Sequence, residues 1–177
     1  MNNTILTTPL TVELTPESVS GMSLSKMLSK KEWDAIRRSV YEKYNYTCIH
    51  CKAVADRANV LWSYDEPTGI QTLTGIEAVC PECGLASHYQ GAQTHEMKDS
   101  IHRHLMQVNG WTIEQVEEHV EKALAEYKQR SGVEWTMDAS WLWTEYDISN
   151  ASRARLLKAV RRPDMRLKAN RMPKPEV

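Results

Sequence analysis

Two C-x-x-C pairs, Cys48 with Cys51 and Cys80 with Cys83, stand 28 residues apart and constrain this chain more than any other feature. A two-residue interval turns the backbone tightly enough for both sulfurs to face one point, and amides in the turn can donate to them. Thiolates are soft, anionic ligands that suit a tetrahedral zinc ion. The alternative of two disulfides belongs to oxidising compartments. The amino terminus shows no basic segment followed by an apolar run, and no stretch approaches the roughly 20 apolar residues that span a bilayer, so the chain is read as cytoplasmic. A redox role needs only one pair, beside a thioredoxin-like pattern that is missing here. The expectation is therefore one structural Zn2+ per chain, held by Cys48, Cys51, Cys80 and Cys83. Four thiolates would close the ion to substrate.

The segments around the cysteines read as a small α+β protein, mainly helical, with a zinc-stapled hairpin and helix at its centre. Ser29 followed by Glu32 is a capping box. Behind it Trp33, Ile36, Val40, Tyr41 and Tyr44 form one helical stripe. Asn59 to Tyr64 and Ile70 to Thr74 read as two strands joined by the turn Asp65-Glu66-Pro67-Thr68-Gly69, and Gly75 is expected to end or bend the second. Helical stretches follow from Leu85 to His88 and from Thr94 to Gln107. Thr112 with Gln115 is a second capping box, opening a long helix to about Ser131, and Asn150 is placed as the cap of a final one. Residues 1–28 show neither period over a useful length and are expected to form an extended arm. The organisation expected is an arm over 1–28, a stapled domain with a helical extension over 29–148, and a basic helix and tail over 149–177.

Composition matters chiefly through charge. The net charge of -1 divides into +7 from Ala151 onward, with nine Lys or Arg against two acids, and -8 in the remainder. The tail residues Arg153, Arg155, Lys158, Arg161, Arg162, Arg166 and Lys168 are the candidate nucleic-acid contacts. The region from Trp111 to Asp147 carries nine acids against three bases, so duplex DNA is not its natural partner. Trp141 and Trp143 are candidate anchors for a protein partner if exposed, and Trp135 suits the core better.

Trp33 through Tyr41, the first knuckle, Trp62-Ser63-Tyr64-Asp65, Gly69 to Leu73, Cys80-Pro81-Glu82-Cys83 and His88 together resemble the zinc-stapled branch of the HNH endonuclease superfamily. The resemblance continues through His104-Leu105-Met106, Val108 to Trp111, the long helix and Glu134 to Asp138, covering roughly Trp33 to Leu142. It implies a ββα-metal site, in which a histidine deprotonates water beside a divalent cation. The family's pattern has His-Glu before the Trp-x-Tyr-Asp strand and His directly after the fourth cysteine. Here those positions are Asn59, Val60 and Gly84, and His88 alone survives as a catalytic candidate. Asn59 cannot take a proton near neutral pH.

Three functions follow as expectations. The first is a non-catalytic HNH-like module that binds nucleic acid or a nucleic-acid-processing protein. The second is a protein-binding inhibitor or adaptor using the acidic helical face and the tryptophans. The third is an active nuclease with a rebuilt site, for which His95, His102 and His104 on the next helix are the spare ligands. Those histidines, His119, and His50 inside the first knuckle are otherwise expected on solvated surface.

Overall fold

A computed structural model describes residues 8–160, with side chains placed as far as Lys158. The chain is α+β and mainly helical, and its elements follow the order expected around the cysteines. Helix α1 (Leu24–Met27) is one turn, and α2 (Lys30–Lys43) begins at the Ser29–Glu32 capping box, with Ile36 and Val40 buried. Strands β1 (Arg57–Asp65) and β2 (Ile70–Val79) pair as an antiparallel hairpin. After it come α3 (Pro81–Ser87), α4 (His95–Asn109) and α5 (Ile113–Ser131). Strand β3 (Thr136–Asp138), α6 (Trp141–Glu145) and α7 (Asn150–Val160) complete the described chain.

The hairpin is longer than the apolar pattern suggests, because Gly75 does not end β2. It pairs with Leu61 while Leu73 pairs with Trp62, so Thr74 is the extra residue of a β-bulge. The Thr74 hydroxyl donates to the Leu61 carbonyl at 3.2 Å, stitching the bulge from within. Gly69 at the turn is fixed by two demands. Its φ is +66°, and a Cβ there would stand 3.2 Å from the Glu134 carbonyl oxygen. That close approach lets Thr136 N–H donate to the Gly69 carbonyl at 2.8 Å, and β3 then runs parallel to Ile70, Gln71 and Thr72. Three residues of strand carry no readable period, which is why β3 escapes sequence analysis.

The segment ahead of α2 belongs to the core. From Thr8 to Pro16 it is extended, with Leu10, Val12, Leu14 and Pro16 buried and Glu13 exposed between them; a short 3-10 turn (Glu17–Val19) and α1 follow. Its side chains join Leu73, Ile76, Leu105, Val116 and Met137 in one continuous core. The backbone of this strap is satisfied by side chains instead of a strand. Asn109 accepts from Leu10 N–H and donates to Leu10 O, both at 2.8 Å. Gln90 does the same for Thr15, at 3.0 and 2.9 Å. Between them Val12 N–H donates to His119 Nε2 at 2.9 Å.

Glu32 also does more than its local motif requires. Besides Ser29, its carboxylate accepts from Ser149 N–H at 2.8 Å and from the Ser152 hydroxyl at 2.6 Å, so one side chain ties the start of α2 to the start of α7. Ser149, whose Oγ accepts from Ser152 N–H, caps α7 in place of Asn150, which is already helical.

Candidate metal centre

Cys48 and Cys51 sit on an irregular knuckle after α2, and Cys80 and Cys83 on the step from β2 into α3. Cys80 is the N-cap of α3, its sulfur accepting from Cys83 N–H at 3.4 Å, and Pro81 supplies the fixed φ that suits the first helical position. The first knuckle is held by Cys48 N–H to Ala53 O and Lys52 N–H to Cys48 O, with Lys52 in the left-handed region at φ 67°. Ile49 N–H donates to Ala78 O and so docks that knuckle against the end of β2.

The outcome is four sulfurs all within 4.8 Å of one another, a set that can hold a metal ion. Four sulfurs about 2.3 Å from a tetrahedral zinc would be about 3.8 Å apart, so the cradle has the right size. The sulfurs of Cys51 and Cys80 lie 3.4 Å apart, and none of the four forms a disulfide. Three of the cysteines are buried and Cys51 is half-exposed. Burial alone would raise the Cys48 thiol, but amides of Cys51, Cys80 and His50 aimed at its sulfur outweigh that and bring it to about 7. Burial pushes Cys80 up, and burial together with the charge of Cys48 pushes Cys83 up. A bound cation reverses such shifts by taking all four as thiolates.

Around this centre the structure corrects several expectations. His50 is buried, 7% exposed, not at the surface. Its Nδ1 lies 2.9 Å from Thr8 O and its Nε2 3.3 Å from a Glu77 carboxylate oxygen. Burial disfavours its charged form, but Glu77 and the Thr8 carbonyl outweigh it and raise its pKa. Asn59, opposite Glu77 in the hairpin register, donates to the same carboxylate at 3.2 Å, and its own Oδ1 is buried without a partner. Asn59 is thus part of a buried polar cluster with His50 and Glu77. His95, at the start of α4, is exposed as expected, whereas His102, His104 and His119 are engaged. His104 Nε2 lies 3.2 Å from Cys83 Sγ, His102 pairs with the Tyr89 hydroxyl at 3.0 Å, and His119 holds the strap.

His88 follows α3 and lines a groove of about 680 Å3 that runs between the strap, β1 and α5. Val60 and Trp62 line that groove, whereas Asn59 does not, because successive residues of a strand face opposite sides. The surviving histidine and the asparagine at the first position of the family's His-Glu pair are therefore not brought together. Burial and the nearby Arg57 guanidinium lower the His88 pKa. Gly84 is buried, and a Cβ at that position would stand 3.0 Å from Arg57 Cδ.

Of the other candidates, Trp141 and Trp143 are half-buried and packed against the core, and Arg153 stacks 5.9 Å above the Trp143 ring. Arg155 turns its guanidinium inward, to Met27 O at 2.7 Å and Ser152 Oγ at 2.7 Å. Lys158 is exposed. Arg161, Arg162, Arg166 and Lys168 lie outside the described residues. Among the described residues no helix is long and apolar enough to cross a membrane. No protein-family model, no curated protein and no solved structure matches the chain.

Proposed function

We propose that this chain is a zinc-stapled, HNH-like module that binds nucleic acid, or a protein that processes it, and does not itself cut. The observation that carries the reading is the state of position 59 beside an intact staple. The four sulfurs gather where β2 enters α3, giving a hairpin and helix fastened to a knuckle. Asn59 is buried and tied to Glu77, so the residue in place of the pair's histidine neither titrates near neutrality nor reaches solvent. Val60 offers only carbon, and Gly84 offers no side chain. Thiolate ligands are the reason for naming zinc as the ion. Its chemistry here is structural, since four sulfurs leave no position for water. The positive charge from Ala151 onward supplies the attraction to phosphate.

Two measurements test the reading. Protein incubated with supercoiled plasmid and Mg2+, Mn2+ or Ni2+ is expected to leave it intact, and metal-dependent nicking abolished by His88→Ala would overturn it. Full-length protein is expected to be retained on DNA or RNA in a salt-sensitive way, and truncation after Asn150 to abolish retention. Failure to bind either at low salt favours the second reading, a protein-binding adaptor. One observation supports that alternative: Leu124 is 45% exposed on the acidic helix α5, where an apolar residue gains from a covering partner.

A further inference from the structure

We propose that His104 acts on the metal from the outer sphere, its Nε2–H hydrogen-bonding the Cys83 thiolate and fixing that ligand. The inference rests on the zinc reading above. The sulfurs are unequally supplied with donors. Cys48 faces the amides of Cys51, Cys80 and His50, and Cys80 receives the amide of Cys83. Cys51 is half-exposed, so water can reach it. Cys83 is 0% exposed, and among the described residues the hydrogen-bond partner of its sulfur beyond the other cysteines is His104 Nε2 at 3.2 Å. A buried thiolate is an acceptor with no access to water, and leaving it without a donor is costly. His104 supplies the missing one.

The placement follows from helix packing. Ile101 and Leu105 of α4 are buried, and His104, next to Leu105, is carried to the side of α4 that meets α3. Since a thiolate only accepts, the ring must carry a proton on Nε2. The four sulfurs are mutually within 4.8 Å and His104 is outside that set, so its role is to position a ligand and to spread the charge of a dianionic centre.

Two substitutions separate a donor from a space-filler. His104→Gln keeps an N–H near the Nε2 position, and His104→Leu keeps bulk without a donor. Competition against a chromophoric chelator is expected to show Zn2+ held tenfold to a hundredfold more weakly by His104→Leu, with His104→Gln close to the parent. Equal affinity for all three, or equal loss in both variants, overturns the proposal. Should His104→Leu fail to fold, the parent chain loaded with 113Cd2+ decides the matter. A scalar coupling between cadmium and the His104 Nε2 proton is expected, and an unprotonated Nε2 overturns the proposal. Cobalt substitution keeps the two readings distinct. Absence of thiolate charge-transfer bands would remove the zinc site itself, and bands of a four-sulfur centre with an unaffected His104→Leu would remove only the role of His104.

Discussion

Glu32→Ala tests whether one carboxylate joins two helix starts. In the folded chain that side chain accepts from Ser29 N–H and the Ser29 hydroxyl at 2.8 and 2.6 Å, and from Ser149 N–H and the Ser152 hydroxyl at 2.8 and 2.6 Å. Losing half a capping box costs on the order of 1 kcal/mol. On the α7 side Ser152 is 0% exposed, so its hydroxyl proton is left without an acceptor, at roughly 1–3 kcal/mol. The total expected is about 3 kcal/mol, or a Tm lowered by roughly 6–12 °C for a chain of this size. Urea unfolding followed by far-ultraviolet circular dichroism measures it. The sign with pH is also fixed. Burial would raise the Glu32 pKa, but the hydrogen bonds from Ser152, Ser29 and Ser149 hold it well below the usual carboxylate range. A depressed folded pKa contributes stability that is complete above the unfolded value of about 4.3 and is lost as pH falls toward the folded pKa. The parent should therefore lose its advantage over Glu32→Ala in acid. A difference under about 0.5 kcal/mol at pH 7, or one that grows as pH falls from 5, would refute the reasoning.

Cys80→Ser removes one ligand while its hydroxyl can still cap α3, and on the scale of zinc-finger peptides the loss is of order 10 kcal/mol, enough to unfold a domain; elemental analysis should find little zinc, and full zinc with parental helicity would contradict the staple. Gly69→Ala meets both a left-handed φ of +66° and a 3.2 Å contact with Glu134 O, so a destabilisation of about 2 kcal/mol is expected from chemical denaturation. His119 must be neutral at Nε2 to accept from Val12, and burial, with Lys122 opposing Glu126, lowers its pKa. Its contribution is therefore complete above pH 6.5 and is lost as pH falls, so amide exchange at Val12 should quicken between pH 6.5 and 5 in the parent and be pH-insensitive after intrinsic-rate correction in His119→Gln.

The helices and the four-cysteine cluster are legible because their signals are local. A capping box is two residues three apart, and both Ser29–Glu32 and Thr112–Gln115 form as the pattern predicts. The C-x-x-C turns likewise carry their geometry within four residues. The strap also had a signal, though a brief one: Leu10-Thr11-Val12-Glu13-Leu14-Thr15-Pro16 alternates without a break, and the buried positions are the apolar ones and Pro16. It reads as an arm only if averaged with the Ser-rich residues after it. The contacts made by His50, His104 and His119 had no sequence signal, because their partners at Thr8, Cys83 and Val12 are 42, 21 and 107 residues away. A histidine among glutamates looks solvated until the fold brings a buried amide to its ring.

Helix α3 shows how the staple and the strap depend on each other. Seven residues with Gly84 in their midst do not make a stable helix alone. Its first turn is held by the Cys80 cap and the metal cradle, its flank by His104 against Cys83, and its last residue by Glu13 N–H donating to Ser87 O at 3.3 Å. The strap that reaches Ser87 is itself anchored at Thr8 to His50, inside the first knuckle. The chain thus closes a circuit from knuckle to strap to α3 and back through the four sulfurs. Opening the metal centre should loosen the strap at Leu10 as well as the knuckles, and releasing the strap by Asn109→Ala should weaken metal retention at the other end of α3. That reciprocity is required of any two sites that stabilise the same element.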